Sequence, residues 1–131
     1  MPKKECIFTE KAPEPGCYSQ AVRYGNLVFL SGQVSEDVAT GDIVKDSIAN
    51  QTRRILTNIK TILEAAGSSL DMVLKVRIYV SDINHKPEMN EVYKEFFPHE
   101  PPARVAVAAA LDDDLDVEID VVAGIKENAL G

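Results

Sequence analysis

The 131 residues are the size of one domain, and a 45% hydrophobic composition supplies material for a core. A net charge of −7 and a sequence pI near 4.8 argue against a surface that binds nucleic acid, because affinity for a phosphate backbone rests on Lys and Arg releasing counterions. No apolar run approaches the roughly 18 to 20 residues needed to span a bilayer, and Lys3 and Lys4 lead into no apolar h-region, so a cytoplasmic protein without a membrane partner is expected.

In chain order, Ile7 and Phe8 begin a short strand that ends in the turn-rich Lys11-Ala12-Pro13-Glu14-Pro15-Gly16. Cys6 and Cys17 are too far apart for a CxxC pair and are expected as reduced thiols. Strand-like runs over Tyr18 to Val22 and Asn26 to Leu30 flank Tyr24-Gly25-Asn26 at hairpin spacing, and Ser31-Gly32-Gln33 ends the second of them. After the loop at Thr40-Gly41-Asp42, Asp46 or Ser47 can cap a helix whose apolar stripe is Ile55, Ile59, Ile62 and Ala66, with Gly67 as its terminator.

From Asp71 to Val80 the period changes to two: Leu74, Val76, Ile78 and Val80 point one way, and Val73, Lys75, Arg77 and Tyr79 the other. A second helix follows, capped by Asn84, with Pro87 in its first turn and Met89, Val92, Tyr93, Phe96 and Phe97 as its buried stripe. His85 and His99 form no metal-spaced cluster with each other or with the cysteines, so no metal is expected. Two further strands complete the chain, one headed by Arg104 and the small residues Ala106, Ala108 and Ala110, the other carrying Glu118 between Val117 and Ile119. The acidic Asp112-Asp113-Asp114 between them reads as a solvated turn. Six strands and two helices make an α+β layer with both helices on one face of the sheet. The strands are apolar on both sides, so the uncovered face calls for burial by another copy.

Gly16-Cys17-Tyr18-Ser19-Gln20-Ala21, Ser31-Gly32-Gln33, Asn50-Gln51-Thr52, Glu64-Ala65-Ala66-Gly67, Asn90 with Tyr93 and Phe96-Phe97, Pro102-Ala103-Arg104 and Val117-Glu118-Ile119 run nearly end to end. In this order and spacing the chain resembles the RidA family, also called YjgF or L-PSP. The resemblance implies a single domain over residues 1–131 with a chorismate-mutase-like fold, a six-stranded mixed sheet with two helices on one face, assembled as a homotrimer with clefts between subunits. It also implies hydrolysis of reactive 2-imino acids and their 2-aminoacrylate-type enamines to 2-keto acids and ammonia, without a cofactor. Members with arginine at the position of Arg104 are the ones expected to deaminate.

The residue types suit that chemistry. The permanent, planar guanidinium of Arg104 matches a carboxylate bidentately, and Glu118 is the candidate to assist the attacking water. The resemblance adds Tyr18, Ser31, Gly32, Asn90 and Ala106 as substrate-binding residues. It also marks departures: Cys17 stands where proline is usual, Val105-Ala106 replaces a hydroxyl residue and a cysteine, and Asp112-Asp113-Asp114 replaces a Leu-Pro-like turn. An Arg and a Glu on neighbouring strands are alternatively an ordinary ion pair. Simple hairpin pairing about the acidic turn would set Ala108 opposite Glu118 and Val122 opposite Arg104, four positions or roughly 13 Å apart. Either that pairing does not form or the second charge comes from a neighbouring subunit, and the implied intersubunit cleft favours the latter.

Overall fold

The computed structural model, which describes residues 1–129, arranges seven strands in one mixed sheet and lays two helices on one of its faces. The strands are β1 (Glu5–Ile7), β2 (Ala21–Tyr24), β3 (Leu27–Leu30), β4 (Gln33–Val34), β5 (Val73–Val80), β6 (Ala103–Ala108) and β7 (Val117–Gly124). Helix α1 (Ile48–Ala65) lies between β4 and β5, and α2 (Lys86–Phe96) between β5 and β6. The sheet order is β1-β2-β3-β7-β5-β6, with β4 also beside β7. Only β5 and β6 run parallel, as expected for two strands joined through a helix.

The expected count of six strands is corrected to seven, because Gln33 begins a strand rather than ending one. β3 pairs with β7 as far as Phe29↔Val122, and β4 resumes at Gln33↔Ile119. Three residues, Leu30 to Gly32, therefore face two, Val121 and Asp120, which is a β-bulge. The hairpin pairing of the last two strands is also overturned: β5 lies between β6 and β7 and pairs with both. A second bulge falls between Val73 and Lys75, so Val73 is buried and Leu74 exposed, the reverse of the simple alternation.

Ser47 caps α1, its hydroxyl accepting from the Asn50 N–H at 3.0 Å, and Glu88 of α2 accepts from the Ala49 N–H at 2.8 Å. At the other end Gly67 adopts a φ of +86°, and the Ser68 N–H reaches back to the Leu63 carbonyl at 2.8 Å, closing the helix as a glycine C′ residue does. Asn84 does not cap α2. Asp82 caps a short 3-10 turn (Ile83–His85) by accepting from the Asn84 N–H, and that turn runs straight into the helix.

Ile55, Leu56, Ile59, Ile62 and Leu63 of α1, with Met89 and Tyr93 of α2, bury against Val76, Ile78 and Val80 of β5 and Ile119 and Val121 of β7 in one core. The opposite face leaves Phe29, Val105 and Val107 exposed, with an Arg77–Asp120 ion pair at 2.8 Å between them. Among the described residues no helix is long and apolar enough to cross a membrane. Removing the α1 cap with Ser47→Ala should cost about 1 kcal/mol of unfolding free energy, read as a lower urea midpoint with an unchanged m-value.

Candidate functional site

Strand register decides where the two charges go. Arg104 pairs with Val76, a core residue, so its side chain leaves the sheet on the helix side. Glu118 pairs with Tyr79, which alternates with the core residues Ile78 and Val80, so it leaves on the open side. Two strand spacings and three residue rises put their α-carbons about 14 Å apart. Within one chain the two groups cannot hold one small molecule, and the structure forms two separate clusters.

The first cluster is built on α2 and β6. Arg104 donates through Nη1 to Oδ1 of Asn90 at 2.7 Å and lies over the ring of Tyr93, with 4.8 Å from its guanidinium carbon to the ring centroid. Asn90 and Tyr93 are three residues apart, on one face of α2, where both reach β6. Pro87, Glu91 and Lys94 complete the cleft wall. Asn90 is a neutral partner, and among the described residues Arg104 forms no salt bridge, so its charge is available to an anion. Ala106 is half-buried behind Arg104, packed on the core.

The second cluster gathers Tyr18, Ser31, Gly32 and Glu118. Tyr18 lies on an exposed loop rather than on a strand, since β2 begins only at Ala21. That loop is tied down by the buried Gln20, whose Oε1 accepts from the Thr9 N–H at 2.8 Å and whose Nε2 donates to the Thr9 and Pro13 carbonyls, each at 2.9 Å. Ser31 donates to the Ser19 carbonyl at 2.7 Å. The bulge brings Gly32 beneath Glu118: a Cβ added there would lie 3.1 Å from Cδ of Glu118 and closer still to Oε2, so only glycine fits without moving the acid. Tyr18 and Gly32 share a small pocket with Pro13, Glu14, Pro15, Gln20, Gln33, Val34 and Glu36.

Burial pushes the Glu118 carboxyl above the ordinary glutamate range, and the Asp120 and Asp112 charges push it further. Sequence reasoning set burial against the charge of Arg104; in the single chain Arg104 lies on the other face, and burial prevails. Two contributors escaped that reasoning. Asp120 reaches Glu118 only because both lie on the open face, and the Tyr93 ring reads in the sequence as part of a core stripe. The Asn90–Tyr93 spacing is the signal that could have flagged it. Among the described residues no group of three or more His, Cys, Asp or Glu is placed to hold a metal ion, and Cys6 and Cys17 are exposed free thiols.

The sequence matches the family described as Endoribonuclease L-PSP over residues 9–125. A RutC family protein of Pyrococcus abyssi is 52% identical over 122 residues, covering 92% of this chain and 96% of its own. The 2-iminobutanoate/2-iminopropanoate deaminase of Dermatophagoides farinae is 41% identical over 128 residues, 96% of this chain and the whole of its own. Among solved structures, E. coli TdcF with bound serine superposes with a TM-score of 0.85 at 37% identity, covering 93% of this chain and 99% of that one.

The raised carboxyl gives a stability test. Folded Glu118 keeps its proton to higher pH than it does in the unfolded chain, so ionising it costs stability once the pH rises through its folded pKa. Glu118→Gln removes that cost. Its Tm should exceed the wild type's modestly at pH 7 to 8, and the gain should vanish near pH 4, as calorimetry across that range would read.

Proposed function

Because the chain belongs to the RidA (YjgF/L-PSP) family, we propose that it hydrolyses reactive 2-imino acids and their 2-aminoacrylate-type enamine tautomers to 2-keto acids and ammonia. The observation that carries this reading is the unneutralised guanidinium of Arg104, presented in an open cleft by Asn90 and Tyr93. A 2-imino acid offers such a group a planar carboxylate adjacent to the C=N bond that is to be hydrolysed.

Two half-sites on opposite faces need a second copy to meet. We propose a homotrimer of the chorismate-mutase-like kind, in which the open face of each sheet is buried and one subunit's Arg104 cluster faces the next subunit's Tyr18, Ser31, Gly32 and Glu118. The exposed Phe29, Val105 and Val107 support this, because a sheet face with three large apolar side chains in water is covered at a gain of roughly 25 cal/mol per Å².

In the assembled cleft Arg104 binds the carboxylate and fixes the plane of the imine. Ionised Glu118 accepts a proton from water as its oxygen attacks C2, giving a carbinolamine, and returns it to nitrogen. Glu118 then takes the carbinolamine hydroxyl proton and delivers it to the amino nitrogen as the C–N bond breaks, so imine plus water becomes keto acid plus ammonia. A carboxylate whose pKa is raised is a stronger base than an ordinary glutamate, which suits it to take a proton from water. Ser31 and the Gly32 N–H would hold the carboxylate or the water, Tyr18 would wall the cleft, and the small Ala106 leaves it roomy beside Arg104. No cofactor is required by these steps. The free thiols suit a reducing, cytoplasmic setting.

A second reading is a non-catalytic binder of small carboxylates, favoured by the serine held by TdcF. Ribonuclease activity ranks last: the chain carries a net charge of −7, and the 11-residue α2, about 16 Å long, separates His85 from His99.

In a coupled assay in which threonine dehydratase supplies 2-iminobutanoate, the protein should accelerate keto-acid appearance; no acceleration would remove the enzyme reading, and 2-ketobutanoate binding without turnover would favour the binder. Arg104→Ala should lose at least about 100-fold in kcat/KM with assembly intact by light scattering. Glu118→Gln should lower kcat by about 10²- to 10⁴-fold and abolish the acid limb of the pH profile, along which wild-type activity rises as Glu118 ionises.

A further inference from the structure

We infer that Tyr93 is a positioning residue for Arg104, acting through the face of its ring and not through its hydroxyl. The inference rests on the reading of Arg104 as the carboxylate anchor. Tyr93 is buried, and its hydroxyl is the one buried side-chain polar atom among the described residues without a hydrogen-bond partner. A hydroxyl without a partner makes no bond to Arg104, so the support Tyr93 gives Arg104 comes from its ring. What the ring does is visible on its other side. It is braced by Phe97, with centroids 4.8 Å apart at a 40° tilt, and it carries the Arg104 guanidinium 4.8 Å from its centroid.

An arginine meant to bind an anion has a design problem. A carboxylate partner would fix the side chain but cancel its charge, whereas a side chain left in water would lose rotamer entropy on binding. A π-face and a neutral amide oxygen solve both at once. The ring attracts the cation without carrying a counter-charge, and Asn90 takes a single N–H, leaving the other guanidinium donors for a ligand. Tyr93 restrains the guanidinium from the side of its ring, and Asn90 restrains it through one N–H.

The phenol's electron-rich ring and phenylalanine's ring both offer the π-face, while leucine fills the core without one. Tyr93→Phe should therefore keep wild-type kcat/KM within about threefold and raise Tm. Tyr93→Leu should raise KM for the imino acid on the order of tenfold while changing kcat less, because the anchor is lost to both ground and transition states. NMR of the Arg104 Nε–H and Nη–H groups gives an arm that needs no substrate. Their ring-current shift should persist in Tyr93→Phe and collapse in Tyr93→Leu. Unchanged Arg104 resonances in a folded Tyr93→Leu, or a loss of activity in Tyr93→Phe equal to that in Tyr93→Leu, would overturn the inference. Absence of wild-type turnover and keto-acid binding would instead strike the deaminase reading, and the NMR arm would still decide the role of Tyr93.

Discussion

Strand β5, parallel to β6 and antiparallel to β7, holds Arg104 and Glu118 two strand spacings apart, and an odd number of residues between their registers sends them to opposite faces of the sheet. Most of what distinguishes this chain depends on that insertion. Within one chain it keeps the cation from neutralising the acid, lets burial and neighbouring carboxylates raise Glu118, and leaves Arg104 open to an anion. A hairpin between β6 and β7 would have put the two charges on one face of one strand pair, about 13 Å apart, in place of opposite faces of the sheet.

Among the described residues neither charge is held by an opposite charge. Arg104 is held by an amide oxygen and an aromatic face, and Glu118 lies over a glycine in a bulge, where a side chain would displace it. The bulge also restores alternation. Leu30 and Gln33 both end up on the core side, although three positions apart, because one extra residue has been absorbed between them. Arg77 and Asp120 form an ion pair on the open face, and the Asp120 charge there raises the affinity of Glu118 for a proton.

The helices, their stripes, the Ser47 cap and the Gly67 stop could be read from the sequence because they are local: each depends on residues within one or two turns. The α+β class followed from element order. What could not be read was non-local pairing. Nothing in Arg104 or Glu118 says that a strand from 30 residues earlier will separate them, and the bulges at Leu30–Gly32 and Val73–Lys75 are visible only once partners are known. Tyr93 was legible as buried and illegible as a support, because apolar periodicity reports which face is inward and not what charge will lie upon the ring. Arg104 and Glu118 stood out as lone charges in apolar strand runs, the other candidates came through resemblance, and the division of the two charges between faces came through register alone.

The strand at the middle of the sheet, β7, is the last of the seven to be synthesised. While a ribosome is still extending the chain, β1-β2-β3 and β5-α2-β6 can form as local units, but β4 has no neighbour, and the inner edges of β3 and β5 remain unpaired. The nascent protein is thus two unfinished sheets joined by α1, and a single late strand zips them together. Aggregation risk during translation is concentrated in the interval before that strand emerges, and a chaperone that shields β-edges would find its substrate there.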